Sequence, residues 1–218
     1  MSIAYFSESS ISDEREKGMG RRAQRNDPDG LRNAIIDQAF EAFTVHGFGS
    51  TSIGDVKAAM GVSGGAFSHH FPTKKALGLA VIRERVAASI EATWIDPLRR
   101  APSAIAGLDA VFLSVLDELD ANGKVSGCPL GNLAVELSRQ DDDLRLEMDA
   151  IYARWRAVIA ERLPHRASED PAGPGDAAGL AALVVATFTG GITMAKASQT
   201  SEPLRRSWQR LRSLLAAS

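Results

Sequence analysis

Two adjacent histidines, His69 and His70, and a single cysteine, Cys128, are the side chains here best suited to metal binding, proton transfer or nucleophilic attack. The histidines lack company. A zinc site needs further His or Cys ligands, and only His46 and His165 remain. The chain has no His-x-x-x-His spacing, no nucleophile–base pair and no Gly-rich phosphate loop. No metal and no cofactor are therefore expected, and a helical small-molecule enzyme is the weaker reading. Cys128 lies in Ser126-Gly127-Cys128-Pro129-Leu130-Gly131-Asn132. Pro129 suits the first position of a helix, which places Cys128 at the N-cap. A thiol there feels the positive end of the helix, and thiolate is favoured. Two readings stay open: a thiol reactive toward oxidants or electrophiles, and a small buried residue lining a pocket. Asn132 and Glu136 follow one and two turns on, able to hold a polar ligand group or simply to cap and solvate.

A denser constellation runs from Gly47 to Lys75. Its Thr, Ser, Gly, His and Lys residues suit hydrogen bonding to phosphates and base edges rather than covalent chemistry. Ser52 with Asp55 three residues on forms a capping box. Ile53, Val56 and Met60 share one apolar face. Gly61 stands where a left-handed residue ends a helix, and Val62 can plug the turn. Ser63 caps a second short helix whose inner side carries Ala66, Phe67 and Phe71. Gly64, Gly65, Ser68 and His69 are left on its outer face. This is a helix-turn-helix: the first helix braces the second, whose N-terminal residues are presented to the major groove.

The same residues carry a resemblance. Gly47-Phe48, Thr51-Ser52-Ile53, Asp55, Gly61-Val62-Ser63, Gly65-Ala66, His69-His70-Phe71 and Thr73-Lys74 resemble the DNA-binding domain of the TetR family of bacterial transcriptional regulators. The likeness spans residues 31 to about 79. It implies a homodimer on a palindromic double-stranded operator, usually a repressor released by a small-molecule effector. It also implies DNA contacts from Thr51, Ser63, Gly64, Gly65, Ser68, His69 and Lys74, with Thr51 and Lys74 on phosphate. Two positions depart from the family pattern. Gly64 stands where Lys, Arg or Pro is frequent, and Ser68 where Tyr is common. The stretch around Cys128 is similar to a subgroup that includes regulators of electrophile, quinone or acrylate metabolism, in some of which the cysteine is the sensing group.

The surrounding elements must position these groups. The chain has 218 residues, 44% hydrophobic and 24% charged, which is ordinary globular composition. Periodicity is helical throughout, with no alternation of period two, so an all-α fold is expected. The predicted helices span 31–46, 52–60, 63–70, 73–95, 102–121, 129–139, 142–163, 176–199 and 202–216, with prolines such as Pro97 at their ends. Residues 1–30 read as a disordered arm, 31–80 as the DNA-binding domain and 81–218 as a helical ligand-binding and dimerisation domain. Helix 73–95 joins the two as a lever. Within the arm, residues 15–25 hold five basic side chains against one acidic. The arm is either a solvated tail or a partner for nucleic acid.

In the second domain Trp94, Phe112, Tyr152 and Trp155, with Cys128 and Asn132, are the candidate effector-binding residues. Leu180, Leu183, Val184, Thr187, Gly190, Gly191 and Met194 form one candidate dimer stripe, and Leu204, Trp208, Leu211 and Leu215 its partner stripe. No signal peptide is apparent, and the longest apolar stretch, near residues 179–186, is short for a membrane span. With one cysteine and no disulfide, a cytoplasmic protein with no membrane partner is expected. An architectural DNA binder without effector is the alternative within the DNA-binding class.

Overall fold

A computed structural model of the chain describes residues 28–163 and 176–217. The basic stretch at 15–25, the loop at 164–175 and His165 lie outside the described residues. Every regular element among the described residues is helical, as the periodicity predicts.

Among the described residues, one compact unit comprises 28–86 and 132–147. Its described part opens with α1 (Pro28–His46), which begins at Pro28 rather than at the expected Leu31. Proline suits a first helical turn because its missing N–H has no partner to lose there. Then follow α2 (Ile53–Met60), α3 (Gly64–His70) and α4 (Lys74–Val81), which continues into a π-helical turn at Ile82–Val86. Helix α1 packs on α2, α4 and that turn. Ile35, Ile36, Ala39 and Phe43 of α1 are buried, as are Val56, Phe67, Phe71, Leu77 and Val81. The segment 132–147 also belongs to this unit. The sequence division at residue 80 did not show this, because the contacts that hold the segment join residues more than 60 positions apart.

The other unit holds residues 87–131, 148–163 and 176–217. Its helical path continues through α5 (Ala87–Ile90), a second π turn (Glu91–Ile95) and α6 (Asp96–Arg100). The helix thus runs past Pro97, where the sequence predicts an end near residue 95. The wide turn just ahead gives the ring room beside carbonyls that an ordinary α turn would press against it. Next come α7 (Ala104–Asn122), α8 (Pro129–Leu137), α9 (Asp142–Arg162), α10 (Ala177–Ser198) and α11 (Glu202–Ala217). Helices α8 and α9 each contribute residues to both units. The core of this unit is aromatic. Trp94 lies 4.7 Å from both Trp155 and Phe188 and 5.4 Å from Phe112, centroid to centroid, and Phe112 stacks on Trp208 at 4.1 Å.

Two expectations change here. Leu204, Trp208, Leu211 and Leu215 are buried within their own chain, so they are not a partner-facing stripe. Amphipathic spacing shows that a face is covered, not by what. Helix α10 spans Ala177–Ser198 within the expected 176–199, but its apolar character extends well beyond the short stretch near 179–186. It has 22 residues and mean hydropathy 1.7, enough by length and composition to cross a membrane. Its small residues Ala, Gly and Thr hid this. One face of it, including Ala181, Val184, Phe188, Ile192 and Ala195, is buried inside the unit.

Candidate nucleic-acid interface

Helix α2 starts where its cap dictates. The Ser52 hydroxyl accepts from the Asp55 backbone N–H at 3.1 Å, and the Asp55 carboxylate accepts from the Ser52 backbone N–H at 2.7 Å. Those bonds, the backbone one first, hold the Asp55 carboxyl below the usual carboxylate range. Gly61 ends the helix at φ 62°, a left-handed conformation with almost no penalty for glycine. Ser63 then caps α3 by accepting from the Ala66 N–H. Phe67 and Phe71 turn inward, ring centroids 6.3 Å apart. Ser63, Gly64, Gly65, Ser68 and His69 are all exposed. His70 is half-buried against His69, their rings 5.3 Å apart.

Thr51 is placed differently from its expected phosphate role. It is 4% exposed, and its hydroxyl donates to the Gly47 carbonyl at 2.9 Å and the Ala42 carbonyl at 3.4 Å. The side chain fastens the turn between α1 and α2, leaving no hydroxyl proton for phosphate. Lys74 is half-exposed. Its ammonium lies 3.4 Å from the Gly49 carbonyl oxygen and 4.4 Å from the Phe48 ring centroid.

Glu136 has a role that the sequence reading missed. Its carboxylate accepts the backbone N–H of Phe48 at 2.9 Å and that of Gly49. Around it, Lys75 pairs with Asp141 at 2.8 Å and Asp143 at 2.6 Å, and Arg83 pairs with Glu147. Lys75 holds the Asp141 carboxyl below its ordinary value, and Arg83 does the same for Glu147. The segment 132–147 is thereby bolted to the turn after α1 and to α4. Lys57 was also passed over. Its ammonium nitrogen comes within 4.0 Å of where a β-carbon on Gly64 would stand.

The helix-turn-helix geometry agrees with the comparisons to known proteins. Residues 35–81 match the model for bacterial regulatory proteins of the tetR family, and residues 104–209 that for the C-terminal domain of LmrA/YxaF-like transcriptional regulators. An uncharacterized HTH-type transcriptional regulator in the lacX 3′ region of Lactococcus lactis is 31% identical over 136 residues, 61% of this chain and 69% of that protein. This chain belongs to the TetR family. The HTH-type transcriptional repressor DhaR of a Mycobacterium species is 27% identical over 80% of this chain and 86% of its own. A TetR regulatory protein from Rhodobacter sphaeroides shares the fold at TM-score 0.71 and 21% identity, over 84% of this chain and 97% of that one. The family is one of transcriptional regulators, not enzymes, and its members bind DNA operators, usually as dimers.

The candidate effector residues of this TetR-family chain divide between the units. Trp94, Phe112, Cys128, Tyr152 and Trp155 lie in the unit of α7, α10 and α11, and Asn132 lies in the other. Trp94, Phe112 and Trp155 are fully buried in the aromatic core, and Cys128 is 2% exposed. Tyr152 and Cys128 both border Gly131: a β-carbon there would stand 3.7 Å from the Tyr152 hydroxyl oxygen and 3.6 Å from the Cys128 Cβ. Burial pushes the Tyr152 phenol well above its ordinary value, the neighbouring Cys128 adds to the rise, and Arg156 opposes it. The phenol is therefore a neutral donor at physiological pH.

Proposed function

We propose that this chain is a repressor that binds a palindromic operator as a homodimer and leaves it when a small-molecule effector binds or Cys128 is modified. One observation carries the DNA-facing part. The polar outer face of α3, from Ser63 to His69, is exposed while Phe67 anchors the helix from behind. Ser63, Gly64, Gly65, Ser68 and His69 form the reading face, with Lys74 beside it. Repression is supported by the name of the Mycobacterium relative.

Dimerisation through α10 and α11 is supported by an open groove of about 510 Å³ between them, bordered by Leu183, Gly190, Met194 and Leu214. The three large side chains are 44–51% exposed, more apolar surface than a lone soluble helix pair gains by leaving in water. Effector binding is supported by the buried indole N–H groups of Trp94 and Trp155, which have no acceptor among the described residues. A ligand that accepts hydrogen bonds would satisfy them. For the thiol role the support is position alone, Cys128 standing just ahead of α8; its burial, at 2% exposed, disfavours thiolate and favours the pocket-lining alternative.

The test is footprinting on a duplex selected by the wild-type chain from random DNA, with and without a simple quinone. A compact two-fold footprint is expected, lost on adding the quinone and retained by Cys128→Ser. Equal release of both proteins removes the thiol role and leaves a reversible pocket. A footprint spread over any DNA favours an architectural binder.

A further inference from the structure

We propose that Lys57 of α2 is a DNA-phosphate contact and supplies the positive charge that Gly64 leaves out of α3. This rests on the reading of α3 as the DNA-facing helix. Gly64 is exposed, and its missing side chain leaves open space. A β-carbon there would meet only the Lys57 ammonium, at 4.0 Å, and one on Gly65 would meet nothing. The charge therefore stands over the first residues of α3 although it is rooted on the bracing helix.

Lys57 also differs from most neighbouring cations in being uncommitted. Arg32 is bound to Glu84, Arg85 to Asp37, Lys75 to Asp141 and Asp143, and Arg83 to Glu147. Among the described residues no carboxylate ion-pairs with Lys57 or Lys74. An ammonium on a flexible stem is a compact charge with three rotatable donors, suited to a phosphate oxygen rather than to planar readout of a base edge. Lys57 and Lys74 then form the positive pair of the motif, one over the start of α3 and one at the start of α4.

The experiment measures binding of the full chain to the wild-type-selected duplex and to an unrelated duplex over a range of salt. Lys57→Gln is expected to weaken both about 5–20-fold near 0.1 M salt and to make the salt slope shallower by about one per subunit. Lys57→Met, which keeps the apolar stem, should behave alike, and Lys57→Arg should keep affinity and slope. Lys57→Gln with Gly64→Lys should regain most of the loss, because the new side chain enters open space and returns the charge. Unchanged affinity and slope in both neutral variants overturns the proposal. So does a loss confined to the selected sequence, or one shared by Lys57→Arg. If the wild-type chain selects no sequence at all, it is the reading of α3 that fails.

Discussion

Gly61 carries more of the motif than its size suggests. At φ 62° it closes α2 and sets the direction of α3, and a β-carbon there would meet nothing. The cost of replacing it is therefore backbone strain alone, which is large for a β-branched residue. Gly61→Val is expected to lower unfolding free energy by about 1–2 kcal/mol, and Gly61→Asn by less. Urea midpoints at constant slope measure this. Such local features were legible in the sequence. Ser52 with Asp55, Gly61 and Ser63 each act over three or four residues, so spacing alone exposes them. Thr51 was misread because a hydroxyl at a turn has two customers, backbone carbonyls within reach and a phosphate outside, and spacing does not choose between them. Glu136 was misread for a different reason: its donors, Phe48 and Gly49, are 88 and 87 positions away.

At the scale of elements, the acidic segment from Glu136 to Glu147 shows what periodicity leaves out. The sequence placed α8 and the start of α9 correctly but assigned both to the second domain. Only side-chain partners reveal that Asp141, Asp143 and Glu147 serve Lys75 and Arg83. The pairing has a consequence in acid. Asp141, Glu147 and the Arg32-bound Glu84 all titrate below their unfolded values. The stability they confer is complete above the unfolded carboxylate range near pH 4 and is lost as pH falls through the folded values. Unfolding free energy should therefore drop as the solution is acidified below about pH 4–5. Asp141→Asn should show lower stability at neutral pH and a shallower fall, read from urea titrations at a series of pH values. A dependence identical to wild type would mean that Asp141 holds nothing in place.

For the molecule as a whole, α10 and α11 present two kinds of apolar surface. Sequence periodicity places Leu183 and Met194 in one dimer stripe with Val184, and Leu204 and Trp208 in its partner stripe, yet Val184, Leu204 and Trp208 close the chain's own core while Leu183, Met194 and Leu214 face outward. The outward set is the one a second copy would cover. Leu183→Glu with Met194→Glu is expected to halve the mass in sedimentation equilibrium without loss of helical signal. Operator affinity should fall at least tenfold, since two half-sites then no longer act together. A double variant that stays dimeric would place the contact elsewhere.

Helix α10 has a further consequence, for synthesis of the chain. It emerges from the ribosome before α11, and Leu204 of α11 packs against Gly191, where a β-carbon would come within 2.8 Å of it. Until α11 follows, the nascent chain carries a 22-residue apolar segment with part of its covering still unmade. Chains cut short before Glu202 would leave the Gly191 side of that segment uncovered and prone to association with one another. Completion of the last helix is therefore the step that covers the Gly191 side of α10.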